Sequence, residues 1–507
     1  MRAVRLLLVA AVVAAVVALV LWVPDPVEPS GESLDRAVVP AAFDGGAVSG
    51  TWYCAASSIG SPEPPRHRVI LTNPGPDPAT ARATAYAAAG PLPPATVDVP
   101  ASGSTTIDVQ PTFGAPELSV VVESAAPGLV VEHRLNTDTD SDQVPCATST
   151  SDRWWFPALN SSRGSTALLT LFNPFPADAG VDVEVVLDAS ARTPAELSGI
   201  VVPARSVKVV DLGAVVQRRD LFAVVVRSRS GRVVAETTQR FDGTVGLRGV
   251  RMQLGVPGEA SRWAFAGGFT GSGVGESIVV VNPTGDRVSA EVRVVPFGAA
   301  ETAPEPFVLD IPSLRYAVVD LSAESRVPAV GFHAVSVVTD GAPVVAALLS
   351  SITGPPGPPA PAVPGEVPPP ERPALGSGVG ITTGSPVAAT EWLVPALDAD
   401  ADPAPVVFVH NPGAAAVTVN VVPVEPGLDA TARSESTTVV EVAPGDAVAL
   451  DVPRPAVPGT AVGLRISAGS PIVVERFVTY PGQDEFAIGL AVPYRTLGES
   501  PVPLPPG

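Results

Sequence analysis

One set of landmarks recurs four times along the chain, and it constrains the fold more than any other feature. Each copy has a Trp, then an Asn-Pro pair, then a Pro and, a few residues later, an Asp. The landmarks are Trp52, Trp155, Trp263 and Trp392; Asn73-Pro74, Asn173-Pro174, Asn282-Pro283 and Asn411-Pro412; Pro100, Pro203, Pro312 and Pro444; and Asp108, Asp211, Asp320 and Asp451. The Trp-to-Asn interval is about 18 to 21 residues and the Pro-to-Asp interval about 7 or 8. Intervals held in register this often indicate an internal repeat.

Each copy ends with a Val pair shortly before a final position. That position is Glu132, Glu236, Ala347 or Glu475, so the third copy departs from the pattern there. A copy spans roughly 100 to 110 residues, which is the size of a small domain. The repeated landmarks are expected to be structural, because a catalytic pair would be unique to one copy.

The residues between the landmarks predict β-strands. Val181, Val183 and Val185 alternate with polar residues, the period of a half-buried strand. An Asn-Pro pair after an apolar run ends a strand, because Pro cannot donate to the sheet and the Asn side chain can bond its own backbone. Helix signals are nearly absent after residue 23, and the 46 Gly and 59 Pro favour many turns.

We therefore predict an all-β protein made of about four tandem immunoglobulin-like β-sandwich repeats that follow one N-terminal transmembrane helix. The expected segments are a signal-anchor and stem at 1–30, repeats at 31–150, 151–260 and 261–353, a Pro-rich linker at 354–375, and a fourth repeat at 376–507. The alternative for the Pro-rich segment is an excursion before the last strand of the third repeat. The alternative is a closed β-repeat assembly in which neighbouring repeats exchange strands, since segments such as 247–257 run directly into the next Trp.

The N-terminal segment predicts a membrane anchor. Arg2 and Arg5 precede an unbroken apolar run from Leu6 to Val23, which is long enough to cross the hydrocarbon core of a bilayer. We favour an uncleaved signal-anchor that leaves the bulk of the chain extracytoplasmic, as a single-pass protein of the cell membrane. A signal peptide cleaved within the Ala-rich run is the alternative.

The two cysteines, Cys54 and Cys146, lie in the first repeat. In an exported protein such a pair is best interpreted as a disulfide. It would join the first and last strands of that repeat and close a loop of about 90 residues, which is worth roughly 4 kcal/mol in the chain-entropy model.

Other candidate sites are weaker. Asp138, Asp140 and Asp142 resemble the start of a calcium loop, but the turn Gly and the closing Glu are missing, so an acidic solvated loop is the better interpretation. One Trp per repeat at a fixed place is typical of a sandwich core, so core packing is the favoured interpretation of these rings. Trp154 is an extra ring beside Trp155, and if one ring is exposed for ligand binding, for example by stacking on a sugar, Trp154 is the candidate. Four histidines, His67, His133, His333 and His410, are scattered without metal-ligand spacing.

The sequence carries no HExxH, GxSxG or P-loop motif and no GxGxxG between a strand and a helix, so we predict that the protein is not an enzyme and uses no cofactor. The net charge of −20 disfavours binding to nucleic acid. The expected partners are the membrane, through the N-terminal helix, and an envelope protein or glycan.

The N-terminal anchor, the openings Trp155 to Pro157 and Trp392 to Pro395, and the Asn-Pro repeats resemble a family of actinobacterial envelope proteins classed only as a domain of unknown function. The resemblance covers most of the chain after residue 30. It implies a membrane-tethered exported protein and supplies no catalytic residues. The predicted function is a non-enzymatic scaffold or interaction protein of the cell envelope; the alternative is a polysaccharide-binding protein of the envelope.

Overall fold

The computed structural model describes residues 39–43, 50–56, 65–125, 128–244, 246–298, 302–353, 378–397, 404–428, 430–455, 459–480, 485–495 and 502–505. The expected anchor at 1–30 and linker at 354–375 lie outside these residues. Within the described residues, no helix has the length and apolar character needed to cross a bilayer. The described chain is nearly all β, as predicted, and it forms several antiparallel sheets.

The first repeat forms two sheets. Its elements, after a short strand β1 (Ala42–Phe43), are β2 (Gly50–Cys54), β3 (Arg66–Asn73), β4 (Ala79–Ala87), β5 (Gly90–Pro91), β6 (Ala95–Val99), β7 (Gly103–Asp108), helix α1 (Val109–Phe113), β8 (Ser119–Ser124), β9 (Val130–Asn136) and β10 (Ser141–Pro145). One sheet has the order β2-β8-β4, with β5 and β6 on β4. It contains Trp52, and we call it the Trp sheet. The other, β10-β9-β3-β7, contains the strand that ends in Asn73, and we call it the Asn sheet.

The second repeat has the same order of strand pairing. Its elements are β11 (Arg153–Leu159), β12 (Ser165–Asn173), β13 (Ala179–Val186), β14 (Ala191–Arg192), a 3-10 helix (Ala195–Leu197), β15 (Ile200–Val202), β16 (Ser206–Asp211), helix α2 (Leu212–Val215), β17 (Phe222–Ser230), β18 (Val234–Asp242) and β19 (Arg248–Leu254). The Trp sheet is β11-β17-β13, with β14 and β15 on β13, and the Asn sheet is β16-β12-β18-β19. Valines of β13 are buried and its acidic residues point outward, as the alternation predicts.

The third repeat extends beyond its expected boundary. Its strands are β20 (Arg262–Thr270), β21 (Val274–Asn282), β22 (Val288–Pro296), β23 (Phe307–Ile311), β24 (Arg315–Asp320), β25 (Gly331–Thr339), β26 (Val345–Ile352) and β27 (Gly378–Thr382). The two sheets are β20-β25-β22-β23 and β24-β21-β26-β27. Since β27 pairs with β26, residues 378–382 complete this repeat and do not open the fourth. The expected boundary at 376 is therefore wrong: the Pro-rich segment lies within the third repeat.

The fourth repeat merges its two sheets through one long strand. Its elements are β28 (Val387–Leu397), β29 (Val406–His410), β30 (Val417–Val424), helix α3 (Ala430–Glu435), β31 (Thr438–Val442), β32 (Ala447–Asp451), β33 (Val462–Thr479), β34 (Phe486–Leu490), β35 (Val492–Arg495) and β36 (Val502–Pro503). The first part of β33 pairs with β28 and β30, and its last part pairs with β29 and β34. One strand thus serves both the Trp sheet and the Asn sheet.

The Asn of each Asn-Pro pair ties two distant parts of its repeat together. The Asn173 side chain is fully buried, and its Nδ2 donates to the carbonyl oxygens of Ala177, Val202 and Pro203 at 2.8, 3.1 and 3.2 Å. Its Oδ1 accepts from the backbone N–H of Phe175. Asn73, Asn282 and Asn411 likewise donate to the carbonyl oxygen of the residue four positions further along the chain. The turn interpretation therefore accounts for these pairs, and further bonds join each Asn to the segment at or just before the Pro landmark.

Within the second repeat, the structure assigns the landmark role to Trp154 and not to Trp155. Trp154 Nε1 donates to the carbonyl oxygen of Val233 at 2.8 Å, as Trp263 does to Val344 and Trp392 to Ile472. All three rings are buried between the two sheets of their own repeat. Counted from Trp154, the Trp-to-Asn interval is also more regular, so the choice of Trp155 as the landmark was wrong.

The residue after each landmark Trp points to the opposite face of the strand and contacts the next repeat. Tyr53 packs on Phe172 of the second repeat, with ring centroids 6.5 Å apart. Trp155 belongs to the apolar cluster of the third repeat, and Ala264 shares a cluster with Phe408 of the fourth. Leu393 joins the cluster of the first repeat. Each Trp sheet thus packs on the following Asn sheet.

These contacts form a closed cycle, because the fourth repeat packs on the first. Each Asn sheet has one edge strand that meets the edge strands of two other repeats. These strands are β10, β19, β27 and β34, and β34 contacts β10 to complete the circle. We call the place where they meet the junction. Both ends of the described chain also attach to the fourth repeat: β1 pairs in parallel with β35, and β36 pairs with β28. The expectation that 31–150 forms a self-contained repeat is therefore wrong for β1, which pairs with the fourth repeat.

Candidate functional site

The junction and the contacts between repeats bury an unusual number of ionisable side chains. Lys, Arg, Asp and Glu make up only 16% of the chain, and such residues are almost never fully buried unless they are paired. The buried ones include Glu132, His133, Arg134, Asp140, Asp142, Glu236, Arg251, Glu276, His333, Glu475, Arg476 and Glu485. They are the strongest candidates for a functional site in the described chain.

Glu485 links three repeats at the junction. It lies directly before β34, and its Oε1 accepts from the backbone N–H of Val250 at 2.6 Å while its Oε2 accepts from that of Ser141 at 2.8 Å. A Cβ atom at Gly249 would lie only 1.9 Å from Glu485 Oε1, so the glycine makes room for the carboxyl. Burial raises the pKa of Glu485 well above its usual value, and the charges of Asp140 and Asp142 raise it further.

Asp142 lies near this carboxyl and is itself close to two arginines, Arg476 and Arg251. Asp142 Oδ2 accepts from the backbone N–H of Met252 at 2.6 Å, which ties β10 to β19. Burial raises the pKa of Asp142 to about 7. Hydrogen bonds from the backbone N–H groups of Met252 and Gln143, and the charges of Arg476 and Arg251, act in the opposite direction. Arg476 Nη1 lies 2.6 Å from Glu132 Oε2, and both groups are completely buried. This pair connects the fourth repeat to the first.

A chain of three side chains crosses from the first repeat to the second. Glu236 Oε2 lies 2.9 Å from His133 Nε2, and His133 Nδ1 lies 3.2 Å from His67 Nε2. Burial raises the pKa of Glu236 well above its usual value, lowers that of His133 to about 3 and lowers that of His67 well below 6.5. Burial thus favours the neutral form of each group. When Glu236 is protonated, its hydroxyl donates a hydrogen bond to His133 Nε2, and the N–H at His133 Nδ1 donates to His67 Nε2.

A third set of carboxyls lies between the third and fourth repeats. Glu475 accepts from the backbone N–H of Gly267 at 2.9 Å and from the Thr382 hydroxyl at 2.8 Å. Burial raises the pKa of Glu475 to about 7. Glu276 Oε2 lies 2.7 Å from His333 Nε2, and both side chains are buried. Glu475 is thus bonded where the third and fourth repeats meet, whereas Glu276 also lines a cleft with Arg251 of the second repeat.

The cysteines behave as expected. Cys54 and Cys146 form a disulfide with a Cα–Cα distance of 4.5 Å, and both side chains are fully buried. Cys54 ends β2 in the Trp sheet, and Cys146 directly follows β10 in the Asn sheet. The bond therefore connects the two sheets of the first repeat.

The candidate role of Trp154 in ligand binding is wrong. Its ring is only 1% exposed, because it fills the space between the two sheets of its repeat. Trp155 is also buried, and its Nε1 donates to Glu259 Oε1 at 2.8 Å. Neither ring presents a face on which a sugar could stack.

The three aspartates of the calcium candidate do not come together. The Asp138 side chain is 77% exposed and lies 3.8 Å from Arg66, whereas Asp142 is buried at the junction. Within the described residues, no three His, Cys, Asp or Glu side chains are placed to share a metal ion. The structure does not support a calcium site there.

Three of the buried carboxyls are marked in the sequence by their position within apolar strands. Glu132, Glu236 and Glu475 each interrupt an apolar strand directly after two buried apolar residues. An acidic residue in such a place indicates a buried, bonded carboxyl, not a solvated one. No comparable signal marks Glu485 or pairs His67 with His133, because their partners are distant in the chain.

The fold and these sites define an all-β protein whose paired sheets are closed on one another and joined by buried polar groups. Residues 123–354 match the model of a family of unknown function (DUF5719). The expected resemblance to an uncharacterised family is thus confirmed over that region. No curated protein matches the chain. Among solved structures, the crystal structure of Thermotoga maritima 1070 is 15% identical, with a TM-score of 0.18; the similarity covers 21% of this chain and 92% of that one.

Proposed function

We propose that this chain is a non-enzymatic scaffold of the bacterial cell envelope, tethered to the membrane by its N-terminal helix and extracytoplasmic over its remaining length. In this proposal the scaffold consists of four tandem immunoglobulin-like sandwiches that hold one another in place. The observation that carries the proposal is the closed cycle of contacts, in which each Trp sheet packs on the next Asn sheet. A closed array has a fixed geometry, which suits the display of several partner-binding surfaces at once.

The use of the polar residues supports the same function. Glu485, Asp142 and Glu475 accept hydrogen bonds from backbone N–H groups of other repeats, and so they join the repeats together. A catalytic site needs titratable groups that converge on a space for substrate. Here these groups are already used to hold the sheets together, which favours a mechanical role over a chemical one.

The test is a capture experiment with the full chain in its native membrane. Chemical cross-linking should yield a defined envelope protein at constant stoichiometry, and external protease should reach the folded part of the chain in cells stripped of their wall. The matched variants are Gly249→Ala, in which the new Cβ meets Glu485, and Gly285→Ala, whose Cβ meets nothing within 4 Å. A scaffold that depends on the closed geometry loses its partner only in the first.

Two results would overturn the proposal. Saturable retention on purified cell-wall glycan, with no protein captured, would favour the polysaccharide-binding alternative. Full protection of the chain from external protease, with digestion only after lysis, would place the bulk of the chain on the other side of the membrane.

A further inference from the structure

A cleft lies where the cycle closes, between the first and fourth repeats. Its volume is about 330 Å³. The polar side chains that line it are Arg68, Ser104, Thr106 and Arg134 from the Asn sheet of the first repeat and Thr460 from the fourth. Its apolar wall includes Ile70 and Ala396. The site is therefore built by both repeats and exists only when the cycle is closed.

The two arginines are held in place by different means. Arg134 is buried, with 6% exposure; its Nε donates to Gln143 Oε1 at 2.8 Å, and its guanidinium lies 4.5 Å from the centre of the Tyr480 ring. Arg68 is 35% exposed, and its Nε donates to Asp108 Oδ1 at 2.8 Å. One guanidinium is thus fixed inside the cleft, and the other lies nearer to solvent.

The charge of this cleft is opposite to that of the chain. The net charge of the protein is −20, yet the described residues that line the cleft include two arginines and no carboxylate. Asp108, which is not among these lining residues, pairs with Arg68 and offsets one of the two positive charges. The cleft between the second and third repeats differs, because Asp220, Glu276 and Asp320 line it together with Arg251. Two neighbouring guanidinium groups with hydroxyls beside them are the usual means of binding a carboxylate or phosphate group.

We propose that the cleft between the first and fourth repeats binds a small ligand that carries an oxyanion, either a carboxylate or a phosphate. The arginines bind the anionic group, the hydroxyls of Ser104, Thr106 and Thr460 bond its polar substituents, and the apolar wall packs against its carbon skeleton. The volume suits a ligand of about the size of a monosaccharide. A ligand bound to both repeats also stabilises the closed cycle, because it binds only the closed form.

The experiment measures binding to the full chain by titration calorimetry. The probes are inorganic phosphate, glucuronate and glucose, the last being a neutral molecule of similar size to glucuronate. We expect saturable binding of phosphate or glucuronate and none of glucose. Binding of phosphate alone would assign the site to phosphate groups, and binding of glucuronate alone would assign it to carboxylates; either outcome supports an oxyanion site.

Variants locate the binding. Arg68→Ala should weaken it about tenfold or more, the usual effect of losing a hydrogen bond to a charged group. Thr460→Val tests the contribution of the fourth repeat, and the partly exposed Arg68 and Thr460 avoid the risk that a buried Arg134 variant fails to fold. The control is Arg82→Ala, an arginine of the same repeat that lies 3.5 Å from Glu123 and is 60% exposed.

The proposal is overturned if the full chain binds neither anion. It is also overturned if glucose binds as well as glucuronate, or if Arg68→Ala and Arg82→Ala weaken binding equally. The outcome does not depend on whether the protein is a scaffold, since the binding is measured on the purified chain without any partner.

Discussion

At the scale of the single residue, the protein depends on carboxyls that folding removes from water. Burial raises the pKa of both Asp142 and Glu475 to about 7, whereas the usual value for such groups is about 4. Below about pH 4 these groups are protonated in the folded and the unfolded chain, and they cost no stability. As the pH rises from about 4 to about 7, the unfolded chain ionises these groups while the folded chain keeps them protonated, so the unfolded chain gains stability until both states are ionised above pH 7.

We therefore expect these two groups to lower the free energy of unfolding between about pH 4 and pH 7 and to have no further effect above that range. Glu475→Gln should reduce this fall, because the amide stays neutral and can still bond Gly267 and Thr382. The measurement is urea unfolding of both proteins across this pH range. The exposed Glu123→Gln serves as the control, and an identical pH slope in all three proteins would contradict the assignment.

The hydrogen-bonded chain of Glu236, His133 and His67 gives a second prediction at this scale. Replacing Glu236 with Leu removes the hydrogen-bond partner of His133 Nε2 inside the protein, which should lower the free energy of unfolding by about 1–3 kcal/mol. Glu236→Gln should cost less, because its amide can still donate to His133 Nε2. Equal unfolding free energies for the two variants in urea would show that the hydrogen bond is not important.

At the scale of the element, local side chains decide where each strand ends and how the two sheets of a repeat are joined. Asn173 ends β12 and donates to three carbonyl oxygens, one of them in β15. Asn173→Ala leaves these carbonyls without that donor and should destabilise the protein by about 1–3 kcal/mol. Asn173→Asp keeps the acceptor for Phe175 but loses the donors, so we expect a similar loss in thermal unfolding. A much smaller loss in the Asp variant would mean that the acceptor bond matters more.

The disulfide acts at the same scale, because it joins the two sheets of the first repeat. Its partners are 92 residues apart, so the double variant Cys54→Ser with Cys146→Ser should lose about 4 kcal/mol of stability. Unfolding in guanidinium chloride measures the loss. A reducing agent should destabilise the natural protein and leave the double variant unchanged; an effect on both would indicate another cause.

At the scale of the whole described chain, the junction holds the repeats in their cycle. Glu485 accepts from backbone N–H groups of two other repeats, so Glu485→Ala should expose both donors. We expect faster hydrogen exchange at the amides of Ser141 and Val250, and little change within the Trp sheets. The exposed Glu441→Ala is the control. Unchanged exchange in β10 and β19 would mean that Glu485 does not stabilise the junction.

Local patterns in the sequence determined that this is an all-β protein with recurring Asn-Pro turns and a disulfide, because strand period and turn chemistry depend on neighbouring residues. They did not determine that Trp154 is the landmark ring, since adjacent residues of a strand face opposite sides and only packing shows which side is the core. They also did not show that β27 pairs with β26 beyond the Pro-rich segment.

The tertiary structure alone decided that the repeats close on one another and that Glu485, Arg476 and His133 are buried at their contacts. The physical reason is that burial and pairing depend on groups hundreds of residues apart: Glu485 lies 344 positions from Ser141 in the chain. A charged residue in a strand is expected at the surface unless a partner for it is known. The partner cannot be identified from the sequence, because it is distant in the chain.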